Sequence, residues 1–256
     1  MKSEVYSERA YQAIRTWNAF IVDSYDQVLS LKKPEIKRQR KYYLVYIDYR
    51  KHPYTEYVLR NALHFLGRDW GLILFVWNRN RSYLEKMVGD WGEVQIYNID
   101  TEHHTDEMVA NLRSHLSFWE EQPGSYFLYL DLYTLFRRSG IDTYLKYDYL
   151  EPQAIADATQ RNFLPLGNPV SLRSKSFISK GASLQQKSKG SSFGENSLEK
   201  QILDCYPELQ SPTELYEEFA QEASYQNDPL LLHRSWAHLE AAELHQLLYS
   251  IDYSEN

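Results

Sequence analysis

The chain has 256 residues, a formal net charge of −7 and a single cysteine, Cys205. The acidic balance argues against a nucleic-acid partner, and one cysteine excludes a disulfide framework or a multi-cysteine zinc site within the chain. No apolar run approaches the ~20 residues of a membrane helix, and the first residues lack the apolar core of a signal peptide. We therefore expect a cytoplasmic globular protein. Aromatic residues make up 15% of the chain, which suits either a core or a stacking platform.

The amino-terminal part, residues 1–41, predicts a helix followed by a basic linker. Apolar side chains recur at helical spacing over residues 4–30, and Pro34 ends the pattern. Lysine and arginine dominate the linker between residues 32 and 41. A solvated linker is the simpler interpretation of this charge. The alternative is that residues 1–41 mediate self-association or peripheral attachment to an anionic membrane surface.

Short apolar strands alternate with helices between residues 42 and 136. This order, with short connections, is typical of an α/β fold built as one Rossmann-like domain on a mixed, mostly parallel sheet. The predicted strands are 42–48, 71–77, 93–99 and 125–136, and the predicted helices between them are 54–66, 81–88 and 105–121.

The composition changes after residue 150. Residues 174–194 are rich in Ser, Lys and Gly, which predicts a mobile loop, either a surface insertion or a lid. The rest of the chain, residues 195–256, is predicted to be helical. We expect the main domain to span residues 42–238, followed by a carboxy-terminal helix in residues 239–256.

Asp131 is the first candidate for a functional residue, because it lies inside the most apolar predicted strand. A buried carboxylate is costly unless it is paired, hydrogen-bonded or bound to a cation. It could simply cap a turn, but ligands of open α/β sheets bind at the carboxyl ends of strands, which favours a function. The sequence contains no P-loop, no GxGxxG motif and no GxSxG motif. His103 and His104 are adjacent and make a poor metal-binding pair.

A series of short motifs resembles, in order, a glycosyltransferase-like domain family formerly of unknown function. The resemblance covers roughly residues 42–238, and that family is similar to the type A glycosyltransferases. The matching segments are Arg50–Pro53 (R-x-H-P), Leu59–Asn61 (L-R-N), Gly67–Trp70 (G-x-x-W), Phe118–Trp119 (F-W), Asp131 (Q-x-D), Ile141–Tyr149 (I-D to Y-D-Y), Gly167–Ser174 (G-N to S-L-R), Phe219 with Glu222 (F-S-x-E) and His233–Trp236 (H-K-P-W).

The resemblance implies transfer of a sugar from a nucleotide-sugar, with a UDP-sugar favoured, to a glycan or another hydroxyl acceptor, as in polysaccharide biosynthesis. A divalent cation, Mn²⁺ or Mg²⁺, would neutralise the departing diphosphate. By the same resemblance, Asp131 supplies a carboxylate ligand and His233 an imidazole ligand.

Further site residues follow from the same likeness. Asp48 and Arg50 follow the first strand and Asn78 follows the second, where they would face the donor. Asn168 and Arg173 would line the acceptor side.

Three positions depart from the family pattern. Tyr129 stands where a D-x-D motif has its first acid, and Pro169 with Val170 replaces a Gly-Gly pair. Glu195-Asn196 stands where a Glu-Asp pair is expected to supply the catalytic base, and an Asn cannot accept a proton. Either Glu195 takes over, or this placement is wrong, or the enzyme is retaining or inactive. The alternative function is a non-catalytic module that binds a glycan or a partner.

Overall fold

The computed structural model describes residues 8–99, 109, 112–152, 170–187, 198–212, 214–221, 229–233, 235 and 239–254. Within them a six-stranded sheet has the order β3-β2-β1-β4-β7-β6, and a three-stranded sheet has the order β5-β9-β8. The strands are β1 Tyr42–Ile47, β2 Trp70–Trp77, β3 Gln95–Ile99, β4 Tyr126–Leu130, β5 Thr134–Phe136, β6 Tyr149–Leu150, β7 Ser171–Ser174, β8 Ala220–Gln221 and β9 Leu231–His233.

The larger sheet is mixed but mostly parallel. Strands β1 to β4 are mutually parallel, whereas β7 is antiparallel to both β4 and β6. Strand β2 is buried along its whole length, as expected of a parallel strand that is covered on both faces. These findings confirm the predicted α/β class with a mixed, mostly parallel central sheet.

Helices cover both faces of the larger sheet. One core contains buried residues of α1, α2, α3 and α8, and the other contains those of α4, α5 and α6. The helices are α1 Glu8–Ser30, α2 Thr55–Leu66, α3 Arg81–Val88, α4 Leu116–Glu121, α5 Lys175–Lys187, α6 Leu198–Cys205, α7 Glu214–Phe219 and α8 Ala241–Leu248, with 3₁₀ turns at Ile141–Tyr144 and Pro207–Leu209. None of the helices in the described ranges is both long and apolar enough to cross a membrane.

The amino-terminal helix is part of the core rather than a separate segment. Its residues Trp17, Phe20 and Ile21 are buried in the same core as α2 and α8. Arg60 of α2 donates to the carbonyl oxygens of Val28, Leu29 and Leu31 at the end of α1. A cation at this end of a helix is favourable, because the last carbonyls lack partners and carry partial negative charge. Residues of the same chain therefore cover Trp17, Phe20 and Ile21 of α1.

The basic linker is held by acidic residues of the same chain. Lys33 forms an ion pair with Asp90, and the backbone N–H of Arg38 donates to Glu93 Oε2 at 2.9 Å. The ion pair neutralises one positive charge of the linker, that of Lys33. Membrane attachment or self-association through residues 1–41 stays a prediction.

The predicted mobile loop over residues 174–194 is wrong for its first part, because Lys175–Lys187 form α5. The serines and glycines that suggested a loop have specific roles in this helix. The backbone N–H of Phe177 donates to Ser174 Oγ at 3.0 Å, which satisfies one of the free N–H groups of the first turn. A Cβ at Gly181 would collide with Leu116 and Ile202, so the glycine permits close helix packing. Residues 188–194 lie outside the described ranges.

Two further predictions differ from the structure. The strand predicted over residues 125–136 is two strands, β4 and β5, separated by a turn that begins at Asp131. The region predicted to be helical, residues 195–256, also contains β8 and β9. Strand β9 pairs with β5 and β8 pairs with β9, so the three form the smaller sheet. These strands are only two and three residues long, too short to show a periodic pattern in the sequence.

Candidate functional site

The carboxyl ends of β1, β2 and β4 lie on one edge of the larger sheet. Strands β1 and β4 pair in register from Tyr42 with Tyr126 to Tyr46 with Leu130, so Asp48 and Asp131 follow neighbouring strand ends. Both carboxylates are buried, each residue being 4% exposed. Burial raises the pKa of the Tyr46 hydroxyl, and the charges of Asp48 and Asp131 raise it further while Arg50 opposes them. The structure thus brings the predicted site residues Asp48, Arg50 and Asp131 together at this edge of the sheet.

Asp131 both closes a turn and contacts a buried histidine. Its Oδ1 accepts hydrogen bonds from the Tyr133 backbone N–H at 2.9 Å and the Thr134 hydroxyl at 3.0 Å. Its Oδ2 lies 3.3 Å from Nε2 of His233, whose exposed fraction is 0%. His233 reaches this position because β9 pairs with β5, with His233 opposite Thr134. Asp131 therefore caps a turn and is also a candidate functional residue.

The Asp131 and His233 donor atoms suit a divalent cation. Two neighbouring ligands of an octahedral ion at ~2.1 Å have their donor atoms about 3 Å apart, close to the distance between Oδ2 and Nε2. A carboxylate oxygen suits Mg²⁺ and Mn²⁺, and an imidazole nitrogen also suits Mn²⁺. Among the described residues no group of three or more His, Cys, Asp and Glu side chains could hold a metal ion. An ion held by this pair would need its other ligands from phosphate and water.

Asp48 holds the guanidinium of Arg50 through both carboxylate oxygens. Arg50 Nε is 2.8 Å from Oδ1 and 3.1 Å from Oδ2, and Nη2 is 2.6 Å from Oδ2. Arg50 Nη1 donates to the Tyr133 hydroxyl at 3.0 Å, and the guanidinium lies 5.1 Å from the centroid of the same ring. Burial lowers the pKa of Arg50, but hydrogen bonding to Asp48 and its charge more than compensate, so the pKa is raised. Arg50 is a permanent cation in this site.

The end of β2 contributes two asparagines with different environments. The predicted donor contact Asn78 is exposed in the turn after the strand. Asn80, which sequence reasoning missed, is fully buried: its Oδ1 accepts from the Trp77 N–H at 2.8 Å, and its Nδ2 donates to the Asp48 carbonyl at 2.7 Å. Asn80 thereby ties the ends of β1 and β2 together. The sequence signal that could have identified Asn80 is its position three residues after a strand, in the turn before a helix.

Arg173 is held in the core on the other face of the sheet. It is 1% exposed, donates to Ser171 Oγ at 3.1 Å, and pairs with Glu199 at 2.8 Å. Its guanidinium lies 4.6 Å from the centroid of the Tyr129 ring. These contacts do not join it to the Asp131 and His233 pair, and its acceptor contact stays a prediction. Asn168, Glu195 and Asn196 lie outside the described residues.

Asn61, in the L-R-N segment, has a structural role. Its Oδ1 accepts from the Phe136 backbone N–H at 2.8 Å, and its Nδ2 donates to the Phe136 carbonyl at 3.0 Å. Nδ2 also lies 3.2 Å from the Tyr253 hydroxyl, which is 3.1 Å from that of Tyr57. This segment therefore joins α2 to β5 and to the last described residues of the chain.

The loop after β1 depends on His52. Its Nδ1 accepts from the Tyr54 backbone N–H at 3.2 Å, and its carbonyl accepts from the Tyr83 hydroxyl at 3.1 Å. Burial lowers the pKa of His52, and the neighbouring Arg50 lowers it further, while Asp48 partly opposes them. The neutral imidazole therefore belongs to the folded state.

Replacing His52 should flatten the pH dependence of stability. Because the folded pKa lies below the unfolded value of about 6.5, the unfolded chain binds more protons, and wild-type stability falls as the pH drops below that value. In His52→Asn, the side-chain oxygen can still accept from Tyr54, but it does not titrate. The wild type should lose more unfolding free energy than the variant between pH 7.5 and 5.5, by less than about 1 kcal/mol because the side chain is partly exposed. Urea unfolding at both pH values measures this, and equal losses would contradict it.

Comparisons with known proteins give weak likenesses of overall structure. The glycosyltransferase GlyE of Streptococcus pneumoniae TIGR4 is 12% identical with a TM-score of 0.43, over 83% of this chain and 64% of that chain. The 4-diphosphocytidyl-2C-methyl-D-erythritolsynthase from Anaerococcus prevotii DSM 20548 is 8% identical with a TM-score of 0.43, over 85% of this chain and 97% of that chain. The mannosyltransferase PcManGT from Pyrobaculum calidifontis, in complex with GDP-Man and Mn²⁺, is 11% identical with a TM-score of 0.38, over 67% of this chain and 57% of that chain.

No family model matches the chain, and no curated protein matches it. This chain spans less than two thirds of the GlyE and PcManGT chains. A function for this chain therefore has to rest on the contacts of its own residues.

Proposed function

We propose that the chain is a glycosyltransferase of the type A kind, which transfers a sugar from a nucleotide-sugar to a glycan or another hydroxyl acceptor with the help of Mn²⁺ or Mg²⁺. The observation that carries this proposal is the buried pair of Asp131 and His233 at the end of β4, beside the cation Arg50 at the end of β1. The ordered motifs of the sequence support the same function, and a UDP-sugar is the favoured donor.

The chemistry places specific demands on these side chains. In the transfer, the bond between the sugar and the diphosphate breaks, the acceptor oxygen bonds to the sugar, and the acceptor proton passes to a base. A bound divalent cation supplies positive charge for the diphosphate that leaves. Asp131 and His233 would hold this cation, and Arg50 would add a second positive charge beside it. Glu195 is the proposed base, since Asn196 cannot accept a proton.

The remaining predicted residues complete the proposed site. Asn78 is exposed at the edge where the donor would lie, which suits a polar contact to the nucleotide. Asn168 and Arg173 are proposed for the acceptor side. Arg173 would act there through its neighbours, because its guanidinium is bonded to Ser171, Glu199 and the Arg113 carbonyl.

Calorimetric titration with a panel of UDP- and GDP-sugars, with and without Mn²⁺, tests the proposal. We expect one donor to bind, Mn²⁺ to strengthen its binding, and Asp131→Ala to remove the effect of Mn²⁺. Asp26→Ala is the matched control, because it removes an exposed carboxylate of a different element, α1. The proposal fails if no donor binds, or if Asp131→Ala binds it as the wild type does. Binding of saccharides alone would favour the non-catalytic module.

A further inference from the structure

We propose that Arg50 binds the diphosphate of the donor directly, and that Asp48 and Tyr133 are positioning residues that hold its guanidinium in place. This inference rests on the proposed function and names the group that recognises the leaving diphosphate. It also changes the expected role of Asp48, which the sequence suggested as a donor contact.

The carboxylate of Asp48 is already fully engaged. Both of its oxygens accept from the guanidinium of Arg50, and Oδ1 also accepts from the Arg50 backbone N–H at 2.8 Å. These hydrogen bonds commit both oxygens of Asp48 to Arg50. A nucleotide that approaches this strand end would therefore meet Arg50 rather than Asp48.

Arg50 retains donors for a ligand. A guanidinium has five N–H bonds. The hydrogen bonds to Asp48 and Tyr133 use Nε and one N–H on each terminal nitrogen, which leaves one N–H on Nη1 and one on Nη2. The side chain is 37% exposed, so Arg50 is not closed off from a ligand. A guanidinium N–H group donates a strong, charge-assisted hydrogen bond to a phosphate oxygen.

Tyr133 links the arginine to the proposed metal site. Its hydroxyl accepts from Arg50 Nη1 and its ring lies against the guanidinium, while its backbone N–H donates to Asp131 Oδ1. One turn after β4 therefore positions both the carboxylate that would hold the cation and the arginine that would hold the diphosphate. Such fixing lowers the ordering cost of a long side chain when a ligand binds.

This arrangement predicts that diphosphate binding survives, more weakly, without a metal ion. We expect the wild type to bind inorganic pyrophosphate and UDP in the presence of EDTA, and Mn²⁺ to strengthen both. Tyr133→Phe, which loses the hydroxyl but keeps the ring, should weaken both ligands about three- to tenfold in EDTA, as for one lost hydrogen bond of typical net strength. Arg50→Lys, which keeps the charge but loses the planar fork, should weaken them at least about tenfold.

Two readouts separate a positioning role from a structural one. Binding of uridine, which has no phosphate, should be the same in the wild type and Tyr133→Phe, and so should the melting temperature. Tyr249→Phe is the matched control. It removes an exposed hydroxyl just after α8 that is hydrogen-bonded to the carboxylate of Asp23. It should change none of these affinities.

The outcomes distinguish this inference from the proposed function. If the wild type binds UDP or another nucleoside diphosphate but Tyr133→Phe binds it equally well, the positioning role is wrong and the proposed function stands. The positioning role is also wrong, and the proposed function again stands, if Tyr133→Phe loses uridine and pyrophosphate to the same extent. If pyrophosphate binds and none of UDP, GDP, ADP and CDP does, the proposed function is wrong. If neither kind of ligand binds, both are wrong.

Discussion

Asp131→Asn should lower the rate of sugar transfer at least about 100-fold and abolish the effect of Mn²⁺ on donor binding, with the fold retained. The amide oxygen can still accept from the Tyr133 N–H and the Thr134 hydroxyl, so the turn after β4 keeps both hydrogen bonds. The uncharged amide is a much poorer ligand for a divalent cation, and its NH₂ group would face His233 Nε2 in place of Oδ2. Loss of charge stabilisation at a departing group typically costs this much or more.

Steady-state transfer with the donor identified by calorimetry measures this effect, with thermal unfolding followed in parallel. Asp26→Asn, at an exposed position of α1, is the matched control and should keep wild-type activity. His233→Gln should cause a comparable loss, and the double variant should be little worse than either single variant, because the two side chains act as one site. Wild-type activity of Asp131→Asn in Mn²⁺ would show that this carboxylate holds no catalytic cation.

Asn61→Ala should lower the free energy of unfolding by about 3 kcal/mol. The substitution leaves the N–H and the carbonyl of Phe136 without their side-chain partner in a buried position, and it removes a contact of the Tyr253 hydroxyl. Each buried polar group left without a partner costs roughly 1–3 kcal/mol, and the small cavity adds to this.

Equilibrium unfolding in urea measures the loss. Asn18→Ala is the matched control, since Asn18 is exposed on α1 and its replacement should cost no more than ~0.5 kcal/mol. A loss below about 1 kcal/mol for Asn61→Ala would mean that water replaces its hydrogen bonds and that the segment is not a structural link.

The sequence predicted the parallel strands well, because buried parallel strands are continuous apolar runs. The pairing of β1 with β4 then follows the expected pattern, and it brings Asp48, Arg50 and Asp131 to one edge. The contact of Asp131 with His233 was predicted only through the family resemblance, since the two residues are 102 positions apart. No local pattern can encode a pair at that separation.

The sequence-based predictions that the structure corrects also have physical explanations. Ser174 and Gly181 suggest a loop by composition, whereas in the structure one caps a helix and the other allows two helices to approach. Asn80 was missed because its role depends on the backbone of a neighbouring strand end, the carbonyl of Asp48. Short strands such as β8 and β9 depend on pairing with a neighbour, β8 with β9 and β9 with β5, rather than on their own composition.

The position of Tyr253 has a consequence for the order of events during synthesis on the ribosome. Its hydroxyl completes the buried hydrogen bonds of Tyr57 and Asn61. The ribosome adds these two residues almost two hundred positions before Tyr253. Helix α8, which packs beside it, is also made late. The nascent chain must therefore carry α1 and α2 with part of their apolar surface uncovered until residue 253 has left the exit tunnel. During that interval a chaperone that binds exposed apolar helices would have its longest opportunity to act.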